Sequence, residues 1–192
     1  MTERRIKSYG LLGTVEFINK TYPADVRENI MRSVPPEVRD FVDSSNKSPW
    51  APPEYSCYLW RQIADLAANE QDAMEKLEAC GACMGEYATN TYLRLMLKLV
   101  NVKILATKMP AQWSKDANFG KLSADVSNVK DGKLTFVYDE LDGYPLFGPI
   151  CKGWFGFSFS TMGLKDFKVS LLDWSLANPD PGKVTLEVTW TP

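Results

Sequence analysis

Apolar side chains return at helical intervals through the first part of the chain. Leu11, Val15, Ile18 and Tyr22 share one face of a 3.6-residue period, and the helix they predict ends before Pro23. Pro23-Ala24-Asp25 reads as the first turn of a second helix with Val26 and Ile30 facing inward. Pro35-Pro36-Glu37 opens a third, short helix carrying Val38, Phe41 and Val42. Asp43 to Pro53 is polar and proline-containing, with Trp50 as its one large anchor, and is expected to be a mobile loop. Helical spacing resumes from Glu54 to Ala68 through Leu59, Ile63 and Leu66. The longest helical pattern runs from Asp72 to Val100, with Leu77, Gly81, Met84, Ala88, Tyr92, Leu95 and Leu99 on one face. A further helix, straight or kinked at Pro110, covers Val102 to Phe119.

The period then changes to two. Leu122, Ala124 and Val126 alternate with Ser123, Asp125 and Ser127; Asp131-Gly132 marks a hairpin turn, and Leu134, Phe136 and Tyr138 continue on the return strand. Phe167 to Leu176 predicts a third strand, the residues from Asn178 to Gly182 a turn, and Val184, Leu186, Val188 and Trp190 a fourth strand. Between the two strand pairs lies Tyr144 to Gly163, about four helical turns carrying Trp154, Phe155, Phe157 and Phe159. Each such ring gains roughly 2 kcal/mol or more on burial, so this helix is expected to cross and cover the only sheet. Gly153 and Gly156 leave a strip without side chains where another backbone can come close. The fold class is α+β: a helical N-terminal part, residues 1–120, then a ββαββ unit, residues 121–192, with a four-stranded antiparallel sheet, all in one domain.

Composition narrows the function more than it defines it. The chain has 192 residues, 45% of them hydrophobic and 12% aromatic, enough for a sizeable core. Its net charge is -2, with 22 basic and 24 acidic residues interspersed, which gives no field favouring nucleic acid. The longest apolar region, Leu93 to Leu105, is broken by Arg94, Lys98, Asn101 and Lys103, so no membrane span is expected. The charged start, MTERRIKSYG, has no signal-peptide apolar region, and the expected location is cytoplasmic. There is no histidine. That removes Ser/His and Cys/His nucleophile pairs, histidine-ligated haem or zinc, and the usual general base near neutral pH. Cys57, Cys80, Cys83 and Cys151 are expected to be reduced and largely buried.

The order of elements, the Gly13 start, the Val34-Pro-Pro-Glu-Val38 helix opening and the YPLFGPICKGWFG helix resemble a myxobacterial family of paralogous proteins of similar length and unknown function. That family is similar, at a distance, to the haem-nitric-oxide-binding fold, to 4-vinyl reductase-type sensory domains and to small transport-complex subunits that hold an acyl chain. The resemblance runs from about Leu11 to Trp190 and rests on glycines, prolines and aromatics. Haem-binding members hold iron through a helical histidine, which this chain lacks. The 4-vinyl reductase-type domains carry a cysteine cluster near the final hairpin, where the Asp173–Val184 stretch has none. What the resemblance leaves is a pocket between the long helices and the sheet.

Three motifs carry alternative readings. Cys80-Gly-Ala-Cys83 lies inside a predicted helix, whereas a redox pair needs its first thiol at a helix start, and zinc would need Cys57 and Cys151 as well. Buried structural thiols are the simpler reading. Asp139, Glu140 and Asp142 could serve as acid and base or as cation ligands, but equally suit an acidic loop before a helix. Tyr92, Trp113, Trp154, Phe155 and Phe159 could line a pocket for a flat or aliphatic ligand, and the same rings equally suit ordinary core. The reading is a non-catalytic, sensory or ligand-binding domain for a small apolar or acyl molecule, working in signalling as a homodimer or with a protein partner, without cofactor or metal. The alternative is a protein-interaction module whose pocket is filled by Trp and Phe side chains.

Overall fold

The computed structural model describes residues 3–44, 49–89 and 97–192. Among these, four helices precede the central one: α1 (Tyr9–Thr21), α2 (Ala24–Ser33), α3 (Pro36–Asp43) and α4 (Pro53–Asp65). Prolines set three of the starts, Pro23 before α2, Pro36 in α3 and Pro53 in α4, where a missing N–H costs nothing and φ is already helical. Helix α5 (Glu70–Ala88) is capped by Asn69, whose side chain accepts from the Asp72 amide at 3.0 Å. Then come α6 (Val102–Asp116) and α7 (Phe147–Thr161).

The sheet is four-stranded and antiparallel throughout. Its strands are β3 (Lys121–Asp125), β4 (Lys133–Asp139), β5 (Lys168–Leu171) and β6 (Val184–Thr189), in the spatial order β3-β4-β6-β5. Register places Leu122 opposite Tyr138, Phe136 opposite Leu186, and Leu134 and Val169 opposite Val188. Because strand side chains alternate faces, this gathers the apolar set on one side of the sheet. Helix α7 lies on that side, with Phe155 stacked on Phe136 at a centroid distance of 4.3 Å and an angle of 26°. The expected α+β architecture and the ββαββ order are both present.

Helix α5 packs behind α7, and α1 packs behind α5. Close approach is what the glycines provide. A Cβ on Gly81 would land inside the van der Waals shell of the Ile150 carbonyl oxygen, and one on Gly153 inside that of the Glu78 carbonyl. On the other side of α5, a Cβ on Gly13 would meet Met84 Cα at 2.7 Å. Gly156 contributes nothing to this crossing: a Cβ there meets no atom within 4 Å. The partner strip to Gly153 is on α5 rather than three residues along α7.

Three further expectations need correction. The predicted helix Asp72–Val100 is interrupted: α5 stops at Ala88, where Thr89 turns to φ -102 and ψ 98, residues 90–96 lie outside the described ones, and residues 97–99 are helical again. Asn101 then caps α6 by accepting from the Ile104 amide at 2.9 Å. Apolar spacing persists through Leu99, but Leu99 is 80% exposed; spacing alone does not register a break and a new cap. The third strand is only Lys168–Leu171, because Trp174 folds back against Gly148 and donates to the Pro179 carbonyl at 3.1 Å. The sheet is also not the only one. Two-residue strands β1 (Ile6–Lys7) and β2 (Trp50–Ala51) pair antiparallel, and Lys7 Nζ sits 4.0 Å from the centroid of Trp50. Of the polar connection Asp43–Pro53, residues 45–48 lie outside the described ones.

Candidate functional site

Helix α6 is long but shallowly held. Ala106 is its one fully buried residue, and its C-terminal end carries most of the attachment. Trp113 Nε1 donates to the Phe119 carbonyl at 3.1 Å. Asn118 then ties the chain to the N-terminal segment: its Nδ2 donates to the Glu3 carbonyl at 2.9 Å, its Oδ1 accepts from the Arg5 amide at 2.7 Å, and its own amide donates to the Arg5 carbonyl at 3.1 Å. The Arg4 guanidinium lies over the Phe119 ring, 5.4 Å from its centroid. The segment that leads into α1 therefore fixes one end of α6.

Between α6, the first turn of α1, α7 and the edge of the sheet lies a cavity of about 130 Å³. From α6 it receives Met109, Gln112, Trp113 and Asp116, at i, i+3, i+4 and i+7, one helical face. From α7 come Phe147, Ile150, Cys151 and Trp154, again at i, i+3, i+4 and i+7. Tyr9 and Gly10, Met84, Leu122, Tyr138 and Tyr144 complete most of the wall. The rings interlock edge to face: Trp113 with Tyr138 at 5.0 Å and 80°, Tyr138 with Phe147 at 5.1 Å and 85°. Tyr9 and Trp154, 5.8 Å apart, belong also to a wider, more open cleft of about 370 Å³, which shares Met109, Gln112 and Asp116 and extends past Leu105 and Ile104.

Burial pushes the Cys151 thiol up to about 12, against the opposing effect of the Tyr138 hydroxyl, which donates to its sulfur. Tyr138 is raised well above its ordinary value, chiefly by burial and then by Cys151. Burial also raises Tyr9, and the charge of Asp116 and the hydrogen bond to it add to that. The cavity's thiol and phenols are thus held neutral, and Asp116 is its one carboxylate. It accepts from Gln112 Nε2 at 2.8 Å and from Tyr9.

The sequence-derived candidates divide. Trp113 and Trp154 line the cavity. Phe155 and Phe159 have no exposed surface and stack on each other, and Phe155 stacks on Phe136, inside the packing between α7 and the sheet. Tyr92 lies outside the described residues. Cys80 is fully buried within α5, its sulfur 3.8 Å from Thr14 Oγ1, while Cys83 is half-buried. In the acidic loop, Glu140 pairs with Lys121, and Arg4 donates to the Asp142 carbonyl. Tyr9, Asp116, Tyr138 and Phe147 were not singled out from sequence. The shared helical faces on α6 and α7 could have pointed to Asp116 and Phe147, whereas Tyr9 on α1 and Tyr138 on β4 carry no sequence signal for the site.

No family model matches the chain, and no curated protein matches it. Solved structures do. An H-NOX protein from K. algicida in the Fe(II) unliganded state aligns with a TM-score of 0.72 over 97% of both chains at 10% identity. An S. oneidensis H-NOX protein in the Fe(II)NO state gives 0.66 over 97% of this chain and 100% of its own at 12% identity. The Shewanella woodyi H-NOX in the Fe(II)CO state gives 0.62 over 95% and 93% at 13% identity. The residues present do not fit a haem. The chain has no histidine. The cavity of about 130 Å³ is also far below the roughly 300 Å³ at which drug-sized pockets begin. The chain has the H-NOX fold.

Proposed function

We propose that this chain is a non-catalytic binding domain for a small, largely apolar molecule, acting as a sensor in signalling. The observation that carries the reading is the cavity of about 130 Å³ ringed by Trp113, Tyr138, Phe147 and Trp154. The space is partly open and shares walls with the outer cleft, and most of its lining is apolar. A comparable cavity of about 150 Å³ stays dry and takes benzene or xenon. The fold supports the reading by likeness: H-NOX proteins with that fold are seen in Fe(II)NO and Fe(II)CO ligation states. The alternative, an interaction module with a filled pocket, fits the packed Phe155 and Phe159 but not the space beside Trp113.

The test is a titration of the protein with benzene, followed by amide and indole resonances in heteronuclear NMR. Saturable shifts centred on Trp113 and Trp154 are expected, and Cys151→Leu, which fills the cavity from α7, is expected to abolish them while leaving the fold intact by circular dichroism. No saturable shift in the native sequence, or undiminished shifts in a folded Cys151→Leu variant, would overturn the reading.

A further inference from the structure

We propose that the ligand is a small organic cation, an alkyl- or arylammonium group seated among the rings with its charge directed at Asp116. The inference rests on the binding reading above and adds the sign of the ligand's charge. Asp116 lines both the cavity and the outer cleft. Its partners, the Gln112 amide and the Tyr9 hydroxyl, are neutral donors. Among the described residues no lysine or arginine pairs with it. The lysines that line the two spaces are committed or distant. Lys7 lies over Trp50, and Lys108 is eight residues up α6 from Asp116, about 12 Å along the axis.

Asp116 is half-buried at the edge of an apolar space and has no paired lysine or arginine among the described residues, so a cation seated in that space is attracted to it. The remaining wall is aromatic, and the electron-rich faces of Trp and Tyr are the side-chain surfaces that favour ammonium groups. Size completes the selection. A volume of about 130 Å³ admits one ring or one tetraalkylated nitrogen and excludes a long acyl chain. Tyr9 ties the two halves together, since it stacks near Trp154 and donates to Asp116.

Tetramethylammonium and tert-butanol are near-isosteric probes that differ in charge. Their dissociation constants, read from the Trp113 and Trp154 indole resonances at fixed ionic strength, are expected to differ at least tenfold in favour of the cation. In Asp116→Asn, which can still accept from Tyr9 and Gln112, that ratio should fall to about one while tert-butanol binding is unchanged. Gln112→Lys gives an independent check at an exposed position: an ammonium one turn from Asp116 should compete with the probe and erase the preference. Equal binding of the two probes to the native protein, or a preference retained in both variants, would overturn the cation assignment and leave the cavity reading standing. Failure of tetramethylammonium, tert-butanol and benzene alike would overturn both.

Discussion

Gly153 and Gly156 look equivalent in the sequence, three apart on an aromatic helix, and the structure separates them completely. Gly153 faces the Glu78 carbonyl of α5, and Gly81 on α5 faces the Ile150 carbonyl of α7, so each removes a methyl group from one helix crossing. Gly81→Ala or Gly153→Ala must push two backbones apart, at a cost of about 1–3 kcal/mol or more. Gly156→Ala meets nothing and replaces a poor helix former with the best one, so it should stabilise by about 0.5–1 kcal/mol. Urea denaturation of the three variants reads both signs; a destabilised Gly156→Ala would mean that face is covered. Phe155, with no exposed surface between Phe136 and Phe159, should cost about 3–5 kcal/mol on truncation to Ala. A change near zero there would place α7 on the surface. What the sequence conveyed at this scale was residue type. Which neighbour each residue met depended on helices from distant parts of the chain.

At the scale of elements, legibility followed the strength of the local signal. Alternation in β3, β4 and β6, and proline starts for α2 and α3, are encoded in adjacent residues and were readable. Two-residue strands such as Ile6–Lys7 and Trp50–Ala51 carry no period at all. The cavity was not readable either, since its wall is assembled from α1, α5, α6, α7 and the sheet, and volume is a property of the assembly. Helix α6 is lightly held for its length: Ala106 is its one buried residue, its cavity-facing residues Met109 and Trp113 are only partly buried, and Asn118 anchors its end to Glu3 and Arg5. Asn118→Ala should therefore lower the opening free energy of α6 by about 1–3 kcal/mol. Amide hydrogen exchange would accelerate across Val102–Asp116 while α5 and α7 keep their protection. Equal acceleration in all three helices would mean that α6 opens only with the whole molecule.

The whole molecule has an unusual titration profile because its sequence contains no histidine. No side chain has an ordinary value between the carboxylates and the thiols, so stability should be flat from about pH 6 to 8. The alkaline side is different. Burial raises Cys57, Cys80 and Cys151 above the thiol value of 9.0, Cys151 to about 12, and raises Tyr138 and Tyr144 above 10.0. In the unfolded chain these groups lose their protons first. Above pH 9 the unfolded state then binds fewer protons than the folded one, and the stability of unfolding falls as pH rises. The stabilisation is complete below pH 9 and is lost progressively towards the folded values. Each buried thiol should contribute a fall of about 1.4 kcal/mol per pH unit over that window, with the phenols adding from about pH 10. Denaturant titrations at pH 7, 8, 9, 10 and 10.5 would trace the curve. Cys151→Ala should make the alkaline limb shallower, because one proton fewer separates the two states, although the variant starts from lower stability. A native protein as stable at pH 10.5 as at pH 8 would mean that these thiols ionise in place, and that the wall around Asp116, the cavity's one carboxylate, is not held neutral.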